Sequence, residues 1–509
     1  MTGIVPAPAS IEFHTTSAPF RIVDETRIVA AADVHAIAAA LARDLRTVLG
    51  RELPVADATA READISLVLH DGGEAGGESY TLDVSDRGIA IGSATPAGLY
   101  RATCSLRQLL PARTAAGASK PSVGDVVVPA VSVADAPRFA YRGVMLDVVR
   151  HFFAVEDVLR LIDALAVLKI NILHLHLTDD QGWRIRVDSW PELTGIGGST
   201  SVGGAGGGFY TKADYARIVD HAAERFITVV PEIDLPGHTN AALSAYPELN
   251  HDGVAREPYE GVEVGFSSLS ARPERAEATD RFLSDVMREV AELTPGPWLH
   301  IGGDESMSTT AADYLDLVQR ITSAAAATGK SVIGWHEIGA SPSLPVGTIA
   351  QYWGYLEPQD DAARLTTSVV VQGGRVIMSP ADVAYLDIQH AGSPSTPDGY
   401  ELGLDWANGP TSLEDAYAWE PTAIIDGIGE QQILGVEAPI WTETARTIAD
   451  VEFLVFPRVA AIAEIGWSPR PRDGARDHDE FAARVASLGA HWRGAGTVYC
   501  AVDGVPWEA

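Results

Sequence analysis

The sequence predicts an α/β protein: a (β/α)8 TIM barrel with a C-terminal helix over residues 136–509, preceded by a smaller α+β domain over residues 1–135. Three observations predict it. From Phe139 onward, short apolar runs alternate with amphipathic helical stretches, the pattern of βα units on a parallel sheet. Eight such runs can be counted, the number that closes a barrel. The chain, at 509 residues, also has room for a barrel of about 250 to 400 residues and a second unit beside it.

In the first 135 residues, Phe20–Val29, Ile65–His70 and Ile89–Ile91 read as strands, and the Ala/Leu-rich Val34–Leu49 reads as a helix. PAGLYRATCSLRQLL puts Leu99, Thr103, Leu106 and Leu110 on one helical face. Thr114–Val123 reads as an exposed loop and Ala134–Pro137 as the linker to the next unit. No cluster of catalytic residue types lies in this part.

The eight barrel strands are expected at FAYRGVMLDVV, INILHLHL, FITVVPEI, WLHIGG, SVIGWHE, TIAQYW, RVIMS and ILGVEAPIW. Helical patterns fall at Glu156–Leu168, Ala213–Arg225, Glu274–Leu293, Ala311–Ala327, a short Asp360–Leu365 and Val451–Ile465, with a last one from about Asp477 to Trp492. Gly195–Gly208, GIGGSTSVGGAGGG, is too glycine-rich to pack and is expected to be a mobile loop.

Composition narrows the function. Lys and Arg total 37 against 69 Asp and Glu, a formal charge of −32 that repels nucleic-acid phosphates and anionic lipid, so neither is an expected partner. Cys104 and Cys500, far apart in sequence, make neither a disulfide framework nor a paired-cysteine zinc site. The N-terminus lacks the basic and apolar regions of a secretory signal, and no run approaches the length of a membrane span. A cytoplasmic location is therefore expected, or a secreted one if a leader has been removed.

Catalytic groups of such barrels gather where strands end. Read in order, the strand ends carry Arg150 and His151; Thr178, Asp179, Asp180 and Trp183; Glu232, Asp234 and His238; Asp304 and Glu305; Trp335, His336 and Glu337; Tyr352 and Trp353; Tyr385 and Asp387; Trp441 and Glu443. A single strand-end acid can simply cap the next helix, and a single Trp can fill core. Acids and indoles on nearly every strand end together point to a sugar, whose C–H face stacks on indole while its hydroxyls bond to Arg, Asp and Glu. Glycoside cleavage also needs a carboxylic acid of raised pKa, and a second carboxylate beside it is one means of raising it.

The set RGVMLDVVRHFF (142–153), NILHLHLTDDQGWR (171–184), PEIDLPGH (231–238), HIGGDE (300–305) and Trp441-Thr442-Glu443 resembles glycoside hydrolase family 20, the β-N-acetylhexosaminidases. The likeness spans roughly residues 139–470, and the preceding α+β part resembles that family's non-catalytic N-terminal domain. The resemblance implies exo-hydrolysis of terminal GlcNAc or GalNAc from oligosaccharides with retention, the substrate's own 2-acetamido oxygen attacking the anomeric carbon to give an oxazolinium-like intermediate. Glu305 would be general acid and then base. Asp304 would hold the acetamido N–H, and Tyr385 would bond the acetamido oxygen. Trp335, Trp353 and Trp441 would wall the pocket. Arg150, Asp179, Asp387 and Glu443 would bind ring hydroxyls, with His238 supporting the site through Asp179. No cofactor or metal is implied.

Two other readings of the same residues stay open. His174 and His176 form an H-x-H pair that, with His238 and Asp304, makes a metal-ligand set; sitting before the strand end, they fit better as barrel filling paired with acids such as Glu232. A barrel that binds glycan without cleaving it, or an ordinary retaining glycosidase pairing Glu305 with Glu232, Asp234 or Glu337, is the second. Retaining pairs stand about 5–5.5 Å apart, and adjacent residues such as Asp304 and Glu305 are poorly placed to flank one bond that way.

Overall fold

The computed structural model describes residues 3–72, 77–112, 126–392, 400–471, 474 and 476–507. The expected loop Thr114–Val123 lies outside them. The chain forms two compact units, one of Met1–Ala140, Ala164–Ile170 and Val459–Ala509, the other of Tyr141–Asp163 and Asn171–Arg458.

The first unit is built on a seven-stranded mixed sheet in the order Ser10–Phe13, Val131–Asp135, Tyr80–Ser85, Gly88–Ser93, Ile65–Leu69, Ile28–Ala30, Val55–Ala56. The first four strands pair antiparallel and the rest parallel. Helices His35–Leu49 and Pro96–Leu109 pack on it through Leu41, Leu45, Leu99 and Leu106, all buried. Two expectations are corrected. Phe20–Val29 is two strands, Phe20–Arg21 and Ile28–Ala30, parted by a turn in which the Thr26 hydroxyl accepts from the Val23 N–H. Ala134 and Asp135 are not linker but the end of a central strand: Asp135 is buried, accepting from Tyr80 Oη at 2.6 Å and Lys169 Nζ at 2.9 Å. Those partners are distant in sequence, so local composition conceals them.

The second unit is a closed parallel barrel. Its strands are β1 (Tyr141–Asp147), β2 (Ile172–His176), β3 (Thr228–Glu232), β4 (Trp298–His300), β5 (Ser331–Trp335), β6 (Ile349–Tyr352), β7 (Arg375–Met378) and β8 (Ile433–Ile440). Being covered on both faces, they read in sequence as continuous apolar runs rather than alternating ones. Intervening helices include Val155–Ala166, Lys212–Ala223, Ala276–Leu293 and Ala311–Ala326. The expected short helix at Asp360–Leu365 runs instead over Ala362–Val371. The expected helix Val451–Ile465 is two, Ile448–Val455 and Arg458–Trp467, because Pro457 between them has no N–H to continue the ladder.

The barrel interior is layered. Tyr141, Ile172, Val230, Ile333, Ile349, Ile377 and Leu434 form an apolar plug. Two residues further along four of these strands, on the same face, stand His174, Glu232, Trp335 and Gln351. That layer is polar yet hydrogen-bonded: Glu437 accepts from Tyr141 Oη at 2.6 Å and Gln351 Nε2 at 2.7 Å and lies 2.9 Å from His174 Nδ1. Among the described residues no helix is long and apolar enough to cross a membrane, and Cys104 and Cys500 are both buried and form no disulfide.

Candidate active site

The site opens where β4 stops. After His300 the chain turns through Gly302 (φ +66°) and Gly303 (φ +104°) to Asp304 and Glu305, and Glu305 itself holds φ +43°. A side chain at Gly302 would put its Cβ 1.6 Å from Asp234 Oδ1, so only glycine fits. The sequence GGDE is thus a strained turn that presents two carboxyls from one strand end. Asp304 is buried; the Glu305 side chain keeps a quarter of its surface open to the cavity.

That cavity encloses about 440 Å³. Its wall includes Arg150, His238, Asp304, Glu305 and Trp335, then Trp353, Tyr385, Asp387, Trp441 and Glu443. Seven of the eight strand ends are thereby represented, β2 being the exception. Of the predicted site residues, Asp179 alone stands behind the wall. It sits in a small hairpin beyond β2, Thr178–Asp179 paired with Gly182–Trp183, and grips two wall residues: Arg150 Nη2 at 2.8 Å and His238 Nδ1 at 3.1 Å.

Local hydrogen bonds set each wall residue. Asp147, the last residue of β1, accepts from the backbone N–H of Val149 and Arg150 and from the Arg150 guanidinium at 3.3 Å. The guanidinium carbon stands 4.8 Å from the centre of the Trp441 ring, a cation–π contact. Trp335 donates its indole N–H to Glu232 at 3.0 Å, and Trp353 donates to Glu337 at 3.0 Å. Trp335 and Trp441 lie 6.0 Å apart, tilted by 40°. Tyr385 and Asp387 follow the short helix Ala381–Ala384 after β7.

The electrostatics are uneven. Burial and Arg150 with His238 act oppositely on Asp179, and the two cations prevail, holding it well below the usual carboxylate range. Burial opposes a charge on His238, yet Asp179 and then Asp234 outweigh it and raise the imidazole well above its ordinary value. Its Nε2 lies 3.7 Å from Asp304 and 3.4 Å from Glu305. Burial pushes Asp304 up to about 7 against the pull of His238, with Glu305 adding to the rise. Burial and Asp304 lift Glu337 to about 8. Burial, then Asp387 and Asp304, raise Tyr385 far above the ordinary phenol, so it is a hydrogen-bond donor at any working pH. Burial and Glu443 raise Asp387 well above its ordinary range.

Other expectations sort differently. His174 and His176 lie inside the barrel: His176 Nδ1 is 2.6 Å from Glu232, and His174 contacts Glu437 and Glu232. His238 and Asp304, the other members of the H-x-H ligand set, cluster instead with Glu305. Trp183 does not line the cavity and packs edge-on to Phe282 at 5.9 Å. The Gly195–Gly208 segment is not a free loop. Its carbonyls at Gly198, Thr200 and Gly208 are bonded to Arg184, and Gly197 and Gly198 are buried where a Cβ would strike backbone oxygens. Its glycines serve close approach rather than mobility.

Sequence reasoning missed Trp406, Val262, Val264, Leu404 and Thr444, which also line the cavity. Trp406 sits edge-on to Tyr385 at 5.8 Å and is 44% exposed at the mouth. The available signal was weak: a lone tryptophan in a stretch with neither strand nor helix period.

Acids and indoles ringing a pocket at the C-terminal face of a (β/α)8 barrel define a carbohydrate-cleaving hydrolase. The sequence profile of the glycosyl hydrolase family 20 catalytic domain matches residues 139–314 and 307–470, and that of the family's domain 2 matches residues 1–136. The chain belongs to glycosyl hydrolase family 20. A β-N-acetylhexosaminidase of Cellulomonas fimi is 40% identical over 508 residues, 99% of this chain and 97% of its own. The family 20 β-N-acetylhexosaminidase of Streptomyces coelicolor A3(2) matches with a TM-score of 0.91 and 42% identity over 99% of this chain and 98% of that one. A mutant Streptomyces plicatus β-hexosaminidase in complex with its product GlcNAc matches with a TM-score of 0.90 and 41% identity, over 99% and 97%.

Proposed function

We propose that this protein is an exo-acting β-N-acetylhexosaminidase that removes terminal GlcNAc or GalNAc with retention, the substrate's acetamido group serving as nucleophile. The observation that carries the reading is the pairing of Asp304 and Glu305 on one turn: both reach one cavity, yet they differ in exposure and surroundings. Glu305, the more open of the two, protonates the leaving oxygen and later activates water. Asp304, enclosed by the pocket wall, takes the acetamido N–H and faces the positive charge that grows as the oxazolinium ring closes. Burial raises its carboxyl to about 7; the N–H donor and the developing cation favour its ionised form.

The remaining wall residues complete the reaction. Tyr385 donates to the acetamido oxygen and aligns it for attack, a positioning task that raises the effective concentration of the nucleophile. Trp335, Trp353 and Trp441 shape the apolar pocket for the acetamido methyl and the sugar face. Arg150, Asp387 and Glu443 bind ring hydroxyls, and Asp179 holds Arg150 and His238 in place. The relatives' reported activity on N-acetylhexosaminides supports the substrate class. A thiazoline mimic of the oxazoline intermediate is expected to inhibit strongly, and aryl N-acetylglucosaminide to be cleaved while the plain glucoside is not. An inert thiazoline, with a fluoro-sugar trapping a covalent enzyme ester, would refute the reading.

A further inference from the structure

Arg184 lies outside the cavity wall and is fully buried. It follows the hairpin strand that pairs with Asp179. Its Nη2 donates to the Val149 carbonyl at 2.6 Å, the Thr200 carbonyl at 2.7 Å and Ser201 Oγ at 3.0 Å. Nη1 donates to the carbonyls of Gly198 at 3.2 Å and Gly208 at 3.1 Å. Among the described residues no carboxylate pairs with it, and burial lowers the guanidinium to about 10. Five acceptors around one planar fork is a task an ammonium group does not perform.

What the fork joins is the chain on either side of Arg150. Val149, the preceding residue, is held directly. The segment wrapped around the guanidinium returns the Val202 N–H to the Arg150 carbonyl at 2.9 Å. The glycines nearby make this approach possible: a Cβ at Gly182 would lie 2.3 Å from Arg184 Cζ, one at Gly207 2.1 Å from the Gly198 oxygen, and one at Gly208 2.3 Å from the Phe152 ring. We propose that Arg184 is a positioning residue for the reaction, clamping the Gly198–Gly208 segment to the end of β1 so that Arg150 is fixed where it meets the sugar.

The inference rests on the reading of Arg150 as a ligand of the sugar hydroxyls, and the test separates the two. Arg184→Lys keeps the charge but loses the fork. It should raise KM for an aryl N-acetylglucosaminide on the order of tenfold, the worth of one well-placed hydrogen bond, with kcat changed much less. Hydrogen exchange at the Val202 amide should quicken. Gly207→Ala, which pries the segment away while leaving Arg184 intact, should do the same. Because the effect passes through Arg150, R150A/R184K should show no larger KM than R150A. Multiplying KM losses in the double variant, or an unchanged KM in both R184K and G207A, would overturn the proposal. An unchanged KM in R150A would instead overturn the sugar-binding reading. The clamp itself fails if Val202 exchange is unmoved in R184K.

Discussion

Replacing Asp304 by asparagine keeps the shape of the site and deletes one charge. Asp304 is buried beside His238 and Glu305, in surroundings where an effective dielectric of about 20 applies. A unit charge about 4 Å away then interacts by roughly 4 kcal/mol, and half of that for a transition state in which the oxazolinium charge is half grown. Adding the weakened bond to the acetamido N–H, a charge-assisted one worth about 1.5–3 kcal/mol, gives a loss of roughly 3–5 kcal/mol, or about 10²–10³ or more in kcat. The assay is steady-state hydrolysis of an aryl N-acetylglucosaminide at pH 7, with KM read alongside. Stability should move the other way. Asp304 titrates near 7 in the fold against 3.8 as a free side chain, so the folded state holds its proton more tightly and loses stability as pH rises between those values. At pH 8 the asparagine variant should therefore melt higher than the parent, with the gap closing toward pH 4. A loss of less than tenfold confined to KM, with no gain in Tm at pH 8, would refute this account of Asp304.

Glu305→Gln should lose on the order of 10²–10⁴ in kcat on alkyl or sugar leaving groups and far less on activated aryl ones, because only the former need a proton; equal losses across a leaving-group series would remove Glu305 from the acid role. Gly302→Ala forces a Cβ to 1.6 Å from Asp234 at φ +66° and should cost upwards of about 2 kcal/mol in denaturant unfolding together with nearly all activity, whereas a change within about 0.5 kcal/mol would mean the turn is not strained. The acid limb of the kcat/KM profile should lie above the ordinary carboxylate range, toward the value of about 7 set by burial of Asp304. Asp304→Asn should remove that limb; a limb left in place belongs to another group.

Sequence carried the barrel strongly because each buried parallel strand announces itself as an apolar run, and HIGGDE carried the acids because two glycines between a strand and two carboxyls leave few structural options. What stayed hidden depends on contacts between distant residues. Asp135 looks like linker until Lys169 and Tyr80 meet it. Gly195–Gly208 looks unable to pack until Arg184 supplies the donors that its carbonyls need. His174 and His176 fit a metal pattern until Glu232 and Glu437 come up against them. Trp406 carries no period at all and is brought to the mouth by the fold of the chain after β7. Asp179 has the residue type and strand-end place of a hydroxyl ligand, yet it stands behind the wall and holds the groups that line it.

The central claim is that the nucleophile belongs to the substrate. Its most direct measurement is kcat/KM for aryl glycosides whose acetamido methyl carries zero, one, two and three fluorines. Each fluorine weakens the carbonyl oxygen as a nucleophile while changing the size of the group little. The account predicts a steep, monotonic fall through the series, persisting in Glu305→Gln with an activated leaving group. A rate independent of fluorination, with Asp304 or another carboxylate captured as a covalent glycosyl ester, would contradict it.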